Sequence, residues 1–256
     1  MEPIYSLLSA MKGQQRQMDS VSNNLANVNT AGFKKDQVLF REYYNEFVGQ
    51  DLESEEEQFA HGEFISPYSR GSTSFVMPDH VSPSMSQGSF KSTDNPYDLA
   101  IKSEGFFTVE TPFGLRYTRN GEFLRNQEGY LITTSGDKVM GKNGPIKITG
   151  KQFSVGSEGS IIIDGNEVDS LNIVGFKEPN RLTKMGNSYW VPSSTEQKPT
   201  VLDNAVIHQG VIEGSNVDSV QEMVKMITVN RSYEASQKVM TSLDDLDDKS
   251  ISIARI

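Results

Sequence analysis

The sequence contains no cysteine among its 256 residues. Disulfide bonds, thiolate nucleophiles and cysteine-bound zinc are therefore excluded as sources of stability or chemistry. Basic residues are also scarce, because 24 lysines and arginines stand against 34 aspartates and glutamates, which gives a net charge of −10. Nucleic acids and anionic membrane surfaces are both recognised by basic faces, so this balance argues against either as a partner.

Long apolar runs are missing as well. Residues 1–17 contain no apolar run longer than two residues, whereas a cleavable secretory signal has a continuous apolar core. No stretch approaches the ~20 apolar residues that a membrane-spanning helix needs. We therefore expect neither membrane insertion nor a cleaved signal peptide.

Both ends of the chain carry apolar residues spaced three or four positions apart, which is the pattern of amphipathic helices. At the N-terminus this spacing predicts a helix from about Pro3 to about Asn29, ended by Gly32. At the C-terminus, Ser219 and Glu222 fit a capping box that opens a helix of about 35 residues. The positions that we expect to pack against other subunits are Ile4, Leu7, Met11, Met18, Val21, Leu25, Val28, Val220, Met223, Ile227, Val239, Leu243 and Leu246.

Between the ends the apolar period changes to two, and glycine-containing turns recur about every ten residues, which is typical of an antiparallel β domain. The predicted strands are 106–109, 115–118, 122–124, 130–133, 146–149, 153–155, 160–163, 167–176 and 188–192. We therefore predict an α+β fold, in which long N- and C-terminal amphipathic helices form a coiled-coil-like unit beside a mainly antiparallel central β domain. The expected bounds are 1–35 and 210–256 for the terminal helical region, 36–90 for an extended connector with an acidic run at 51–57, and 91–209 for the β domain.

The N-terminal helix is not expected to hold one structure by itself. Ordering each residue costs about 1–2 kcal/mol, and each of the seven apolar residues on its stripe returns about 2 kcal/mol on full burial. It therefore needs a partner, and pairing with the C-terminal helix of the same chain is one solution. Polar interruptions of the stripes at Gln14 and Arg231 favour packing against other molecules as well, where polar groups set register and partner choice.

The sequence offers only weak candidates for metal-binding or catalytic residues. His61, His80 and His208 are far apart and have no metal-ligand neighbour at helical spacing. Asp94 and Asp98 could suggest a carboxylate pair, but in the sequence DNPYD the capping of a turn explains both. We expect no enzyme activity, no cofactor and no metal site.

Three stretches of this sequence resemble a known family, the flagellar basal-body rod proteins of the hook and rod axial family. They are SNNLANVNTAGFKKD at residues 22–36, TDNPYDLAIKSEGFFTVETPFGLRYTRNGEFLRNQEGYLITTSGDKVMG at residues 93–141, and GVIEGSNVDSVQEMVKMITVNRSYEASQKVMTSLDD at residues 210–245. They occur in the order expected for the family and cover about 100 residues.

The resemblance implies a structural subunit of the rod, exported through the flagellar type III apparatus without a cleaved signal. Such subunits polymerise with copies of themselves and with other rod proteins in the periplasm, into a shaft that transmits torque. Terminal helices would line the inner tube and the β domain would form the outer layer. The length, the connector and the stretch GPIKI at 144–148 favour the proximal rod, with the distal rod or the hook as the alternative. A secreted binding module with a helical dimerisation stalk and a hydrolase are the competing classes.

Asparagines are concentrated in the first of these stretches. We expect Asn23, Asn24 and Asn27 to give one flank of the helix hydrogen-bonding capacity towards neighbouring subunits. Asparagines that are simply solvated are the alternative.

Overall fold

The structure is a computed structural model that describes residues 2–45, 73–186, 188–193 and 197–253. The chain divides into two compact units. The helical unit comprises Met1–Ser20, Val38–Val81 and Lys225–Ile256, and the β unit comprises Val21–Gln37 and Ser82–Val224. No helix in the described ranges combines the length and the hydrophobicity needed to cross a membrane.

The predicted terminal helices are present as α1, Glu2–Ala26, and α2, Ser219–Ile253. α1 ends earlier than expected and is followed by turns, in which Thr30 N donates to Asn27 O at 3.2 Å. The N-terminal cap of α2 is Asp218, whose Oδ1 accepts from the backbone nitrogens of Val220 and Gln221. The capping box expected at Ser219 is therefore wrong by one residue, because a carboxylate immediately upstream provides a stronger acceptor for these free amides.

A coiled-coil-like unit of the two helices is not supported. Within the helical unit, Ser236 Oγ of α2 donates to Gln14 Oε1 of α1 at 3.4 Å. The sheltered side of α2 in this unit carries Met226, Val229, Tyr233, Ser236, Met240 and Leu243. Apart from Leu243, the apolar positions of α2 predicted to face a partner lie elsewhere; Ile227, for example, is 54% and Val239 is 50% exposed. The sequence pattern could not separate them, because apolar residues occupy more than one side of this helix.

The segment expected to be an extended connector begins and ends in strands. β1, Asp36–Asn45, and β2, Thr73–Pro83, form a two-stranded sheet. Gly13 of α1 allows close approach to β1, because a Cβ there would lie 3.1 Å from Cε1 of Phe40. The acidic run at 51–57 lies outside the described residues.

The β unit contains the remaining strands of the described chain, and all of their pairings are antiparallel. They are β3 Phe90–Ser92, β4 Leu99–Ile101, β5 Phe106–Thr111, β6 Gly114–Thr118, β7 Phe123–Arg125, β8 Leu131–Thr133, β9 Lys138–Val139, β10 Phe153–Val155, β11 Ser160–Ile163, β12 Asn166–Ser170, β13 Ile173–Gly175, β14 Leu182–Met185, β15 Tyr189–Pro192, β16 Thr200–Val201, β17 Ile207–Gln209 and β18 Val211–Glu213. A short 3-10 helix, Pro179–Arg181, precedes β14.

A nine-stranded sheet organises this unit. Its main path runs in the order β14-β15-β6-β5-β9-β8-β7, and β13 joins it by pairing with both β5 and β16. Separate small sheets are β10-β11-β12, β17-β4 and β18-β3. The α+β class with mainly antiparallel sheets is therefore confirmed.

Most of the predicted strands are also observed. The run predicted over 167–176 divides into β12 and β13, because the backbone amides of Leu171 and Asn172 turn to other partners, Gly159 O and Met140 O. The stretch 146–149 makes an isolated bridge between Lys147 and Tyr130 rather than a strand.

β5 is buried on both of its faces, which places it at the centre of the unit. Phe107 belongs to the larger core cluster and lies 5.1 Å, between ring centroids, from Phe123. Phe106 belongs to a second cluster with Tyr117 and Trp190. Adjacent residues of a strand point to opposite faces, so two consecutive phenylalanines join the two clusters.

We predict that Phe107→Ala lowers the free energy of unfolding by about 3–5 kcal/mol, since Phe107 is 1% exposed and its removal leaves a cavity. Phe113→Ala is the matched control on the same hairpin, because Phe113 is 83% exposed, and should change it by less than about 0.5 kcal/mol. Urea unfolding followed by Trp190 fluorescence measures both. Equal effects would contradict the position assigned to β5.

Candidate functional site: the terminal junction and an exposed helix face

The asparagine-rich stretch folds into the β unit, where it meets the chain just before α2. We define the terminal junction as residues 21–37 together with 213–222. Gly32 N donates to Glu213 O at 2.7 Å, and Lys35 N donates to Asn216 Oδ1 at 2.7 Å. The segment after α1 and the segment before α2 are therefore joined to each other, within the β unit, by backbone and side-chain hydrogen bonds.

A buried carboxylate, Glu213, lies at the centre of this junction. Lys34 Nζ is 2.6 Å from Glu213 Oε1, and the two side chains are 2% and 1% exposed. Arg119 Nη1 lies 3.4 Å from Glu213 Oε2, and Gly88 N donates to Oε1 at 3.0 Å. Burial lowers the pKa of Lys34, while the Glu213 carboxylate opposes that shift. Burial likewise lowers the pKa of Arg119, again against Glu213.

The partners of Lys34 and Arg119 extend to backbone carbonyls. Lys34 Nζ donates to Ser86 O at 2.8 Å. Arg119 donates to the carbonyls of Ile101 and Ser103 at 2.9 and 2.8 Å. A buried charge is tolerated when it is both paired and hydrogen-bonded, so this network holds three segments of the chain against Glu213.

Asn24 has a different role from the one expected. It is 1% exposed, its Nδ2 donates to Asp36 O at 2.9 Å, and its Oδ1 accepts from Asp36 N at 2.8 Å. Nδ2 also lies 3.2 Å from Glu222 Oε2, and Lys35 Nζ lies 2.6 Å from Glu222 Oε1. The expectation that Asn24 serves neighbouring subunits is therefore wrong. It closes the turn after α1 by satisfying both backbone groups of Asp36.

Gly32 allows the closest approach in the junction. Its φ is +66°, and a Cβ at this position would lie 2.4 Å from the carbonyl carbon of Arg119 and 2.4 Å from the nitrogen of Asn120. Both constraints require glycine, since L-residues rarely adopt this φ and neighbouring backbone cannot give way.

Lys184 completes the junction from strand β14. Its Nζ lies 2.7 Å from Asp36 Oδ1 and 4.0 Å from the centroid of the Phe33 ring, and it donates to Lys34 O. Burial lowers the pKa of Lys184, and its hydrogen bond to the Asp36 carboxylate opposes that shift. A cation held over an aromatic face and beside a carboxylate fixes the turn after α1 from a second direction.

Sequence reasoning missed the partners of this motif. Glu213, Arg119, Lys184 and Asn216 gave no signal, because each lies far from residues 21–37 in the chain and none belongs to a regular charge pattern. The lysines of the motif could be noticed in the sequence, but their burial could not.

The predicted packing positions divide between sheltered and exposed. On α1, Leu7, Met11, Met18 and Leu25 are partly buried and Val21 is buried, while the side chain of Ile4 lies outside the described residues. Val28, in the turn after α1, is also partly buried. On α2, Leu243 is partly buried. The exposed positions are Val220 at 63%, Met223 at 45%, Ile227 at 54%, Val239 at 50% and Leu246 at 57%.

Val220, Met223, Val224 and Ile227 lie three or four residues apart, so they form one face of α2, which we call the exposed face. Two buried residues lie two positions from members of this face. Glu222 is two positions from both Val220 and Val224, and Val229 is two positions from Ile227. At about 3.6 residues per turn, two positions correspond to roughly opposite sides of a helix. The exposed face is thus distinct from the side that packs against the chain itself.

Groups considered for chemistry serve local structure. In DNPYD the turn is capped by Asn95 and not by the two aspartates expected: its Oδ1 accepts from Tyr97 N at 3.3 Å, and its Nδ2 donates to Asp98 Oδ1 at 3.0 Å. His80 and His208 are exposed, and His61 lies outside the described residues. No cluster of three or more potential metal ligands occurs in the part of the chain that the structure describes.

Comparison with known proteins identifies three regions of the chain. A family profile described as "Flagella basal body rod protein" matches residues 4–34. A second, "Flagellar hook protein FlgE/F/G D1 domain", matches residues 100–163. A third, "Flagellar basal body rod FlgEFG protein C-terminal", matches residues 208–253.

Known relatives match along almost the whole chain. The flagellar basal-body rod protein FlgG of Bacillus subtilis is 32% identical over 98% of this chain and 98% of its own length. The rod protein FlgF of Caulobacter vibrioides is 32% identical over 95% of this chain and 94% of its own. FlgF of Mesorhizobium japonicum is 29% identical over 98% of this chain and 96% of its own.

We predict that Lys34→Met lowers the free energy of unfolding by about 3 kcal/mol, because it leaves Glu213 buried with Arg119 as its remaining cation. Lys142→Met is the matched control, since its ion pair with Asp203 is exposed and contributes about 0–1 kcal/mol. Chemical denaturation gives both values. The double variant Lys34→Met, Glu213→Gln should recover part of the lost unfolding free energy. If its loss instead equals the sum of the losses caused by the two single substitutions, the buried ion pair is refuted.

Gly32→Ala should destabilise the chain by about 3 kcal/mol, since it combines a strained φ with a backbone clash. Gly136→Ala isolates the first of these effects, because Gly136 has φ +92° and nothing within 4 Å of an added Cβ. It should cost about 1 kcal/mol. Thermal unfolding at matched protein concentration compares the two, and similar midpoints would show that the close approach is absent.

Proposed function

Since the chain belongs to the family of flagellar basal-body rod and hook proteins, we propose that it is a structural subunit of the proximal rod that polymerises with copies of itself and with other rod proteins. Its similarity to FlgF and FlgG confirms the family resemblance seen in the sequence. The proposal that the chain polymerises rests on the exposed face of α2.

The exposed face is an unusual surface for a chain that functions alone. Val220, Val224 and Ile227 are 63%, 58% and 54% exposed on one side of a helix that is also sheltered on another. Contiguous exposed apolar residues mark interaction sites, and fully burying each such side chain is worth about 1.5–3 kcal/mol. A subunit that is packed among helices of its neighbours would gain this energy at every copy in the polymer.

The terminal junction supports the same function from within the subunit. Its ion pairs join Lys34 and Lys35, which follow α1, to Glu213 and to Glu222 in the first turn of α2, so that the segments next to the two helices are fixed to each other. A shaft that transmits torque needs this kind of connection in every subunit. Glu213 and Glu222 are 1% and 0% exposed, which keeps water from competing for their hydrogen bonds.

Within the family we propose the FlgF-like, proximal position. It is supported by the length of 256 residues, by the connector, which lacks a glycine- and threonine-rich insert, and by GPIKI at 144–148. Relatives named FlgG match equally well, so the distal rod is the alternative. The expected location is the rod in the periplasm, reached through the flagellar type III export apparatus. Residues 1–35 and 210–256 would line the inner tube, and 91–209 would form the outer layer.

We predict that Ile227→Asp abolishes incorporation into rods while it changes the unfolding midpoint little, because a charge on the exposed face is solvated in the free subunit and buried in the polymer. Swimming of a strain that lacks the gene, complemented with the variant, and electron microscopy of its basal bodies provide the measurement.

The matched control is Gln237→Asp, which adds the same charge at an exposed position of α2 away from this face. It should restore swimming. Normal swimming with Ile227→Asp would contradict the assignment of the exposed face, and basal bodies that extend past the proximal rod without the gene would contradict the FlgF-like position.

A further inference from the structure

The chain contains the dipeptide Asn–Gly twice, at Asn120–Gly121 and at Asn143–Gly144. An asparagine followed by glycine loses its side-chain amide more readily than other asparagines, because glycine has no Cβ to obstruct attack of its backbone nitrogen on the asparagine Cγ. The attack closes a succinimide ring, so the backbone on both sides of the ring has to rotate. How tightly the structure holds each pair therefore decides whether that pair reacts.

The first pair is held on several sides. Glu122 N donates to Asn120 Oδ1 at 2.9 Å, and Asn120 N donates to Thr118 Oγ1 at 3.0 Å. Leu99 N donates to Gly121 O at 3.0 Å, and a Cβ on Gly121 would lie only 1.6 Å from Leu99 O. Neighbouring backbone therefore leaves Asn120–Gly121 no room to rotate into a ring.

The second pair lies in an open turn, whose base is a bridge between Met140 and Pro145. Asn143 is exposed, and nothing lies within 4 Å of a Cβ added to Gly144, whose φ is +136°. In the described ranges the backbone nitrogen of Gly144 donates no hydrogen bond, so the attacking atom is available. Rotation of this pair therefore displaces no packed group.

Asp169, on β12, is the main restraint on Asn143. Its Oδ1 accepts from Asn143 Nδ2 at 3.0 Å and from Asn143 N at 3.3 Å. Both hydrogen bonds are exposed, so water competes for the same groups, and such a contact slows the reaction by about tenfold. Asn120–Gly121, in contrast, must first be released from its surroundings by local unfolding.

We propose that Asn143 is a site of spontaneous deamidation and that its conversion releases the 141–144 turn from β12. Hydroxide from the solvent removes the proton of Gly144 N, which then attacks Cγ of Asn143. The bond between N and Cγ forms, the bond between Cγ and Nδ2 breaks, and Nδ2 leaves as ammonia. Water then opens the succinimide at Cγ to give aspartate, or at the backbone carbonyl carbon of residue 143 to give isoaspartate. The reaction involves no oxidant or reductant, and its rate rises with pH because the attacking nitrogen must lose its proton.

The conversion turns an attraction at Asp169 into a repulsion. Asn143 donates to the Asp169 carboxylate, whereas an aspartate at this position has only acceptors and carries the same charge. The turn is also tied to β12 by Lys142 N, which donates to Ser170 O at 2.8 Å. This backbone hydrogen bond lies next to the altered pair, so it should open more often after deamidation.

Peptide mapping by mass spectrometry compares the two Asn–Gly pairs within one sample. The full-length chain is incubated at mildly alkaline pH, folded in one sample and unfolded by urea in another. In the folded chain, Asn143 should deamidate at a rate within about tenfold of its rate in urea, and Asn120 at less than about a hundredth of its own rate in urea. In urea the two rates should be similar, since only the fold distinguishes the pairs. Equal rates in the folded chain, or an Asn143 that stays intact there after the urea sample has reacted, would overturn the proposal.

Amide hydrogen exchange measures the effect on the turn. Asn143→Asp reproduces the aspartate product, and it should make exchange of the Lys142 amide several-fold faster. Asn166→Asp is the matched control, because it places the same charge at an exposed residue of β12 and leaves the hydrogen bonds between Asn143 and Asp169 in place. Faster exchange in both variants, or in neither, would overturn the release of the turn. Neither experiment involves assembly, so both results are independent of the proposed function.

Discussion

The buried carboxylate of Glu213 is the constraint on which the arrangement of both chain ends depends. The carboxylate oxygens contact Lys34, Arg119 and the backbone nitrogen of Gly88. The backbone carbonyl of Glu213 accepts a hydrogen bond from Gly32 N. A charge that is 1% exposed must keep such partners, because an unpaired buried carboxylate is strongly unfavourable. The segment after α1, the strand β18 and the turn after β6 are thereby held together at one point, although they are up to 179 positions apart in the chain.

Around that point, the ends of the two helices are attached by polar contacts and the β unit is held by apolar ones. Glu222, at the first turn of α2, binds Lys35 and Asn24 in the same way that Glu213 binds Lys34. Apolar packing is tolerant of position, whereas paired buried charges accept a narrow range of geometries. This division would suit a subunit of a polymer. Because polar contacts attach the ends of the helices, the apolar side chains on the exposed face are not needed for that attachment.

Much of the fold followed from local pattern. Period-two runs between glycine turns predicted β5, β6, β10 and β11 nearly to the residue, because alternation and turn chemistry are local properties. The two helices were predicted for the same reason. The terminal junction was not, since Lys34 and Glu213 find each other only after the sheets have formed. Asn24 is the clearest case. As one of several asparagines it was indistinguishable in the sequence, yet it alone of Asn23, Asn24 and Asn27 is buried against Asp36 and Glu222.

The sequence by itself determined the fold class, the family and the absence of thiol chemistry, because composition, periodicity and three contiguous motifs are read along one chain. Only the tertiary structure decided which side of α2 packs inward and which charges are buried. A helix with apolar residues on two sides has no intrinsic inner face; Val229 lies inward and Ile227 outward because the rest of the chain covers one side and leaves the other exposed. That choice is made by contacts between distant segments, and it leaves the exposed face uncovered by the rest of this chain.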